Sequence, residues 1–474
     1  MPQKIVDAIL SQNKRNVLCD VLFDETILEI IEKEDVPLNP SELVDYTCNK
    51  RKSHDVPSGI IDANFCIVLP GAVDPHVHYD DPGFEWREDF YTGTLAAAFG
   101  GITIVADMPC TSIPPVINKA NLQHKLSIIE KKAIIDFTLW GGVSGTELAD
   151  DSYIRNMHEL KNEGVIGFKT YLISGMEKFT SVNEEQLEKV AIIAKKLNLP
   201  VGVHAEDKNL IEQKRAQFQK ENSNEIKHYC QTRNIKAEVQ AIKTVIRVAE
   251  KTGAHFHIVH LSSKNGLKLI GEAQDKGLYI TTETCPHFLS FTQDDFEEQG
   301  SILKTAPSIK FEEDRRALWD GLKTGTISFV TTDHAGCDFP REKQTGNIWT
   351  DYGGIPGSEL MVPYMFSEGF MKGKLDLHQT QKVLCENAAH IFGLNTHKGK
   401  IEKGKDADFM FIDPTGLVVV DQSKLHSKGK YSPFDGRTFK GKIISTYLRG
   451  QRIICDDRFV GNAGEGSFCC PIEH

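Results

Sequence analysis

The chain has 474 residues, 40% apolar and 26% charged, the composition of a globular protein with room for a large domain and a smaller one. Acidic residues (66) outnumber basic ones (55), so the formal charge is −11, and no basic stretch stands out that would favour a nucleic-acid partner. No apolar run approaches the roughly 20 residues that cross a bilayer, which argues against a membrane protein. The start, MPQKIVDAILSQNKRN, lacks a signal-peptide core. Eleven cysteines without framework spacing point to reduced thiols in a cytoplasmic protein.

In chain order, residues 1–65 hold short strand-like pieces such as NVLCDVLF and TILEIIE. Eight apolar, strand-like runs follow: one ending near residue 78, then 102–108, 133–140, 165–172, 199–206, 254–261, 278–285 and 327–334. Between them lie helical candidates, among them NEEQLEKVAIIAKKLNL and IKAEVQAIKTVIRVAEKTG, with apolar positions three and four apart. This alternation predicts an α/β fold, a (β/α)8 TIM barrel over residues 66–392, with ENAAHIFGL as its last helix. Residues 393–460 are again short, alternating and turn-punctuated. With residues 1–65 they predict one small β-sandwich domain built from both termini. The Gly-rich tail, 461–474, is assigned no place.

Six residues at or near the ends of the barrel runs fit one metal site. They are His76 and His78 in PGAVDPHVHYDDPG, Lys169 in VIGFKTYL, His204 in LPVGVHAED, His260 in FHIVHLSS and Asp333 in ISFVTTDHAG. The C-terminal ends of barrel strands are where such sites are built. This donor set is enough for two divalent cations, with zinc favoured and manganese, iron or cobalt compatible. Two metals sharing a water form a hydrolytic device. Lys169 interrupts an apolar run, where a lone ammonium costs several kcal/mol unless paired or neutralised. A lysine of depressed pKa reacts with carbon dioxide to give a carbamate, N6-carboxylysine, whose two oxygens bridge two metals. Asp333 has the chemistry to bind a metal, take a proton from the attacking water and pass it to the leaving nitrogen. Tyr171 is two residues beyond Lys169 and shares its face, as a donor to a developing oxyanion or as core packing. The same alternation places His255 and His257 on the face opposite His260, outside the barrel. The long loop 335–360 reads as a lid, with Gly353 and Gly354 letting backbone amides approach a ligand.

Through PGAVDPHVH, GFKTYL, VGVHAED, HIVHLSS, ETCPHFL, KTAPSIK, TTDHAGC, GKDADF and YSPFDGRTFKGK, the chain resembles the cyclic amidohydrolases, a family of allantoinases, hydantoinases (dihydropyrimidinases) and dihydroorotases. The likeness spans about residues 60–455. It implies a metal-bearing barrel, hydrolysis of a ring amide, a small-molecule substrate and a homo-oligomer, tetramer or dimer. Dihydroorotases hold the substrate carboxylate with Arg and Asn where this chain has Asp80 and Cys110. Hydantoinases have Tyr where it has Ser174, and Asn where it has Gly353. Allantoinases match more stretches, DPGFEWREDFYTGT and GFKTYLISGMEKFTSV among them, but carry Asn at Asp80 and Thr111. The resemblance places Asp80, Thr111, Cys285, Gly353 and Gly354 against substrate. An allantoinase-like activity is the first expectation, with the hydantoinase and dihydroorotase activities as alternatives. An inactive scaffold of the same fold is disfavoured because all six metal positions are filled.

Overall fold

The computed structural model describes residues 2–51, 57 and 59–471. Its barrel strands are Ala72–His78, Ile102–Asp107, Asp136–Leu139, Phe168–Tyr171, Val201–His204, Phe256–Ile258, Ile280–Thr284 and Phe329–Val330. Neighbours pair in parallel and in chain order. Two of them act through their continuations. Past Trp140 the third strand resumes as Gly141–Gly142 and meets the fourth. The eighth resumes as His334–Ala335 and meets the first, which closes the ring. Asp74 stitches that seam, accepting from the hydroxyls of Thr331 and Thr332 at 2.6 Å each. Trp140 fills the interior and donates to the Pro75 carbonyl at 2.9 Å. Gly167 makes room for it, since a Cβ there would lie 2.5 Å from the indole.

The helices end where their chemistry dictates. Glu184–Lys196 begins in a capping box between Asn183 and Gln186. Ile235–Thr252 stops at Gly253, in the left-handed conformation at φ 64°.

The two termini form one sheet of nine strands. The N-terminal strand Ile67–Pro70 pairs antiparallel with the C-terminal strand Phe409–Val419. Phe23 and Phe409 are separated by two strands in sheet order, a span of roughly 14 Å on a flat sheet at ~4.8 Å per strand. Their ring centroids are 5.2 Å apart, so the sheet folds over on itself into a sandwich. Tyr447 and Phe411 pack into the same core. The tail has a place as well: the Ser467 carbonyl accepts from Phe137 N at 3.0 Å, and Cys469 N donates to the Phe137 carbonyl at 2.8 Å. It runs along the start of the third barrel strand; residues 472–474 lie outside the described residues.

Sandwich and barrel are joined by a buried ammonium. Lys398, 3% exposed, reaches Asp136 of the barrel at 2.6 Å, Asp406 at 2.8 Å and Asp408 at 2.7 Å. Arg449 also pairs with Asp136. Removing one partner of a buried ionic network leaves uncompensated charge. Lys398→Met is therefore expected to lower unfolding free energy by about 3–5 kcal/mol in chemical denaturation; a loss below ~1 kcal/mol would show that the carboxylates are solvated.

Candidate active site

A cleft of about 650 Å³ opens at the C-terminal ends of the barrel strands. His76 and His78 project from one face of the first strand, as period-two alternation requires. Asp333 Oδ1 lies 3.1 Å from His76 Nε2 and 3.3 Å from His78 Nε2. Beside them, His204 Nδ1 is 2.9 Å from His260 Nε2. The two groups adjoin, with the His76 and His260 ring centroids 5.5 Å apart. Lys169 Nζ sits 4.8 Å from the Tyr171 ring centroid, and that ring stacks on His204 at 5.1 Å. All six predicted ligands thus gather at one place. Two of them leave ordinary backbone geometry to get there: His260 has φ 41° and Asp333 has φ 48°. Such left-handed non-glycine residues cost of order 1–3 kcal/mol and cluster at functional sites.

Lys169 is fully buried and its Nζ has no hydrogen-bond partner among the described residues. Burial brings its pKa down to about 8, although the negative charges of Cys110, Glu283 and Asp333 oppose that. His76 Nε2 is likewise buried, against Asp333 Oδ1. Asp333 is driven the other way. Burial favours its neutral form, but His76, His78 and His260 outweigh burial and hold the carboxyl well below the usual range.

A layer of carboxylates behind these ligands was not legible in the motifs. Glu283 accepts from His76 Nδ1 at 2.5 Å and from His257 Nε2 at 3.0 Å. Glu206 accepts from His204 Nε2 at 2.9 Å and pairs with Arg233. Burial opposes both ionised forms. Arg233 and His204 outweigh it at Glu206, and His76 and His257 at Glu283, so each carboxyl falls to about 2. A carboxylate on one ring nitrogen keeps the other as a lone pair. The lone pairs are then Nε2 of His76 and Nδ1 of His204, which both face the cluster. His257 corrects the sequence expectation, because it is buried inside the barrel rather than outside. The strand ends at Ile258 and the chain turns through positive φ at His260, so alternation does not carry from one histidine to the other.

The expected substrate contacts divide. Tyr171, Thr111, Gly353 and Gly354 line the cleft. Tyr171 Oη is 3.0 Å from Cys110 Sγ, and Thr111 Oγ1 is 3.4 Å from His78 Nδ1. Gly354 is needed where it stands, since a Cβ would lie 2.6 Å from that of Ala335. Asp80 and Cys285 do not line the cleft and both are fully buried. Neither carboxylate oxygen of Asp80 has a hydrogen bond among the described residues, and burial raises its pKa well above the usual range. Its backbone turns through φ 54°, which takes the side chain out of the alternation that sequence reasoning assumed. Cys285 precedes the short helix Pro286–Ser290 and packs in the core.

His76, His78 and Asp333 present donor atoms within 4.8 Å of one another. Buried imidazole lone pairs, a carboxylate and a lysine nitrogen without a partner suit divalent cations. The other acidic cluster, Asp136, Asp406 and Asp408, already surrounds the Lys398 ammonium.

Fold and site together define a hydrolase barrel with a candidate metal centre, and residues 67–453 match the amidohydrolase family. The chain belongs to that family. It is 35% identical over 406 residues to the allantoinase of Rubrobacter xylanophilus, covering 85% of this chain and 88% of that one. It is 34% identical over 414 residues to the allantoinase of Escherichia coli, covering 86% and 89%. Among solved structures it is similar to the L-hydantoinase (dihydropyrimidinase) of Arthrobacter aurescens, with a TM-score of 0.90, 27% identity and coverage of 99% and 100%. The dihydropyrimidinase of Brevibacillus agri gives a TM-score of 0.89 at 28% identity, with both chains fully covered.

Carboxylates that orient metal-binding histidines typically contribute 10–100-fold in metal affinity. Glu283→Gln is expected to weaken divalent-cation binding by about that factor, measured by competition with a chromogenic chelator. Unchanged affinity would show that His76 is oriented by packing alone.

Proposed function

We propose that this protein opens a cyclic amide or ureide ring by metal-dependent hydrolysis, with allantoin or a similar neutral ureide as the first substrate and hydantoins or dihydropyrimidines as the alternative. The observation that carries the reading is Lys169: a buried lysine nitrogen without a partner, amid four histidines and Asp333 at the mouth of a barrel. We propose that His76, His78, Lys169, His204, His260 and Asp333 hold two divalent cations, zinc first among them. Lys169 serves as its carbamate, formed when Nζ adds carbon dioxide and releases a proton. Bound there, the metals supply Lewis acidity and lower the pKa of water.

The chain's own residues do the rest. Asp333 Oδ1, among the imidazoles, takes a proton from the attacking water and returns it to the ring nitrogen. The water oxygen bonds to the carbonyl carbon and the carbon–nitrogen bond breaks. The products are an amine or ureido nitrogen and a carboxylic acid, which ionises. Tyr171 lines the cleft, and burial keeps its hydroxyl protonated, with the Cys110 charge acting in the same direction. It therefore retains a proton to donate to the oxygen that gains charge. Ser174 stands where hydantoinases carry a tyrosine, and its hydroxyl is committed to the Phe179 carbonyl at 2.6 Å. Unpaired cysteines suit a reducing compartment. We place the protein in the cytoplasm as a homo-oligomer, a tetramer or dimer.

Asp333→Asn keeps an oxygen beside the histidines but cannot accept a proton. Metal content should persist while turnover falls by at least ~10²-fold. Normal turnover would remove Asp333 from proton transfer. The substrate assignment is tested by kcat/KM for allantoin, hydantoin, dihydrouracil and dihydroorotate measured side by side. Allantoin should lead; dihydroorotate as the best of the four would overturn the assignment, and hydantoin or dihydrouracil would favour the alternative.

A further inference from the structure

One part of the cleft lining is cationic, and the metal site does not account for it. Arg215, Arg233 and Lys304 all line the cleft together with Tyr229. Arg233 Cζ is 5.8 Å and Lys304 Nζ 5.0 Å from the Tyr229 ring centroid, so two cations share one aromatic ring. Arg233 commits Nη1 to Glu206, and its other guanidinium nitrogens have no acceptor among the described residues. Lys304 is 5% exposed and donates to one backbone carbonyl, that of Asp351. Arg215 is exposed and makes no ion pair or hydrogen bond among the described residues. Glu212, on the same lining, turns to Lys208 at 3.9 Å.

The three charges feel one another. Burial first, then Arg233 and Arg215, outweigh Asp351 and bring Lys304 down to about 7. Like charges held together over a small-molecule cleft, with donors unspent, are compensated by an anion seated among them. The carboxylate the sequence placed nearby, Asp80, is buried and does not line the cleft, so it meets no anion there. Ring opening itself converts a neutral amide into a carboxylate.

We propose that Arg215, Arg233 and Lys304 form a carboxylate subsite. It receives either the carboxylate released by ring opening or an acidic substituent on the ring. Arg233 joins this subsite to the metal site, because it also holds the Glu206 that orients His204. The inference rests on the ring-opening reading.

The test measures binding to the metal-loaded enzyme without turnover, by calorimetry, using N-carbamoylglycine and its neutral amide as matched probes. Both carry a ureido group and only one carries a carboxylate. The acid should bind more tightly than the amide. Arg215→Gln and Lys304→Met should each weaken the acid at least about fivefold more than the amide. Arg215 is exposed, so its variant stays informative if Lys304→Met fails to fold. Equal binding of acid and amide overturns the proposal. So does a preference that survives both variants, which would place the carboxylate on the metals alone. Kinetics then separate the two sources. Variants that slow a carboxylated ring more than hydantoin indicate the substituent, and variants that relieve product inhibition indicate the released acid. A protein that opens no ring yet shows the variant-sensitive preference would refute the proposed function and leave the subsite standing.

Discussion

Lys169 is fully buried and its Nζ has no hydrogen-bond partner among the described residues. Such a group costs several kcal/mol as an ammonium, and the protein answers by depressing its pKa rather than by supplying a carboxylate partner. The site is arranged around that choice. Asp333 is already engaged by His76 and His78, and Glu283 by His76 and His257. Neither is left to pair with the lysine. A lowered pKa leaves more of the amine free of its proton, the form that reacts with carbon dioxide.

The ring of strands turns this chemistry into geometry. The candidate ligands come from the first, fourth, fifth, sixth and eighth strands, and closure at the Asp74 seam brings the first and last of these strands together. Positive φ at His260 and Asp333 then turns both side chains into the cluster. Glu206 and Glu283 complete the arrangement by selecting which ring nitrogen is free. These carboxylates are cheap to ionise here because each is shared between two partners.

The loop after the eighth strand lines part of the cleft, with Trp349, Tyr352, Gly353 and Gly354 on its wall. Glu342 accepts from Arg87 Nε at 2.8 Å, and Arg87 lies 4.5 Å from the ring centroid of Tyr352, which lines the cleft. Trp349 donates to the Ser223 carbonyl at 2.8 Å. Lys343 donates to three carbonyls, at residues 301, 302 and 304. These contacts tie the loop to several neighbouring segments beside the cleft. Lys304, on the cationic lining, is bonded to this same loop through Asp351.

Local chemistry made much of the protein legible. Apolar runs at regular intervals gave the barrel, apolar positions three and four apart marked helices, and a lysine inside VIGFKTYL announced an unusual nitrogen. The six candidate donors could be picked out because each sits at the end of an apolar run, a one-dimensional signal, and the structure gathers them at one place. Asp80, His257, Glu283 and the Arg233–Glu206 pair could not. Their roles depend on where a side chain points after a strand has ended, or on a partner dozens of residues away. Period-two alternation holds only while the strand does, and it fails where φ turns positive at Asp80 and His260. Residue types and their order therefore determined the fold class and which candidate donors end the barrel strands. Barrel closure and the turns at the strand ends decided which carboxylates orient the histidines and which charges face the cleft, because those are distances between segments that only the closed ring sets.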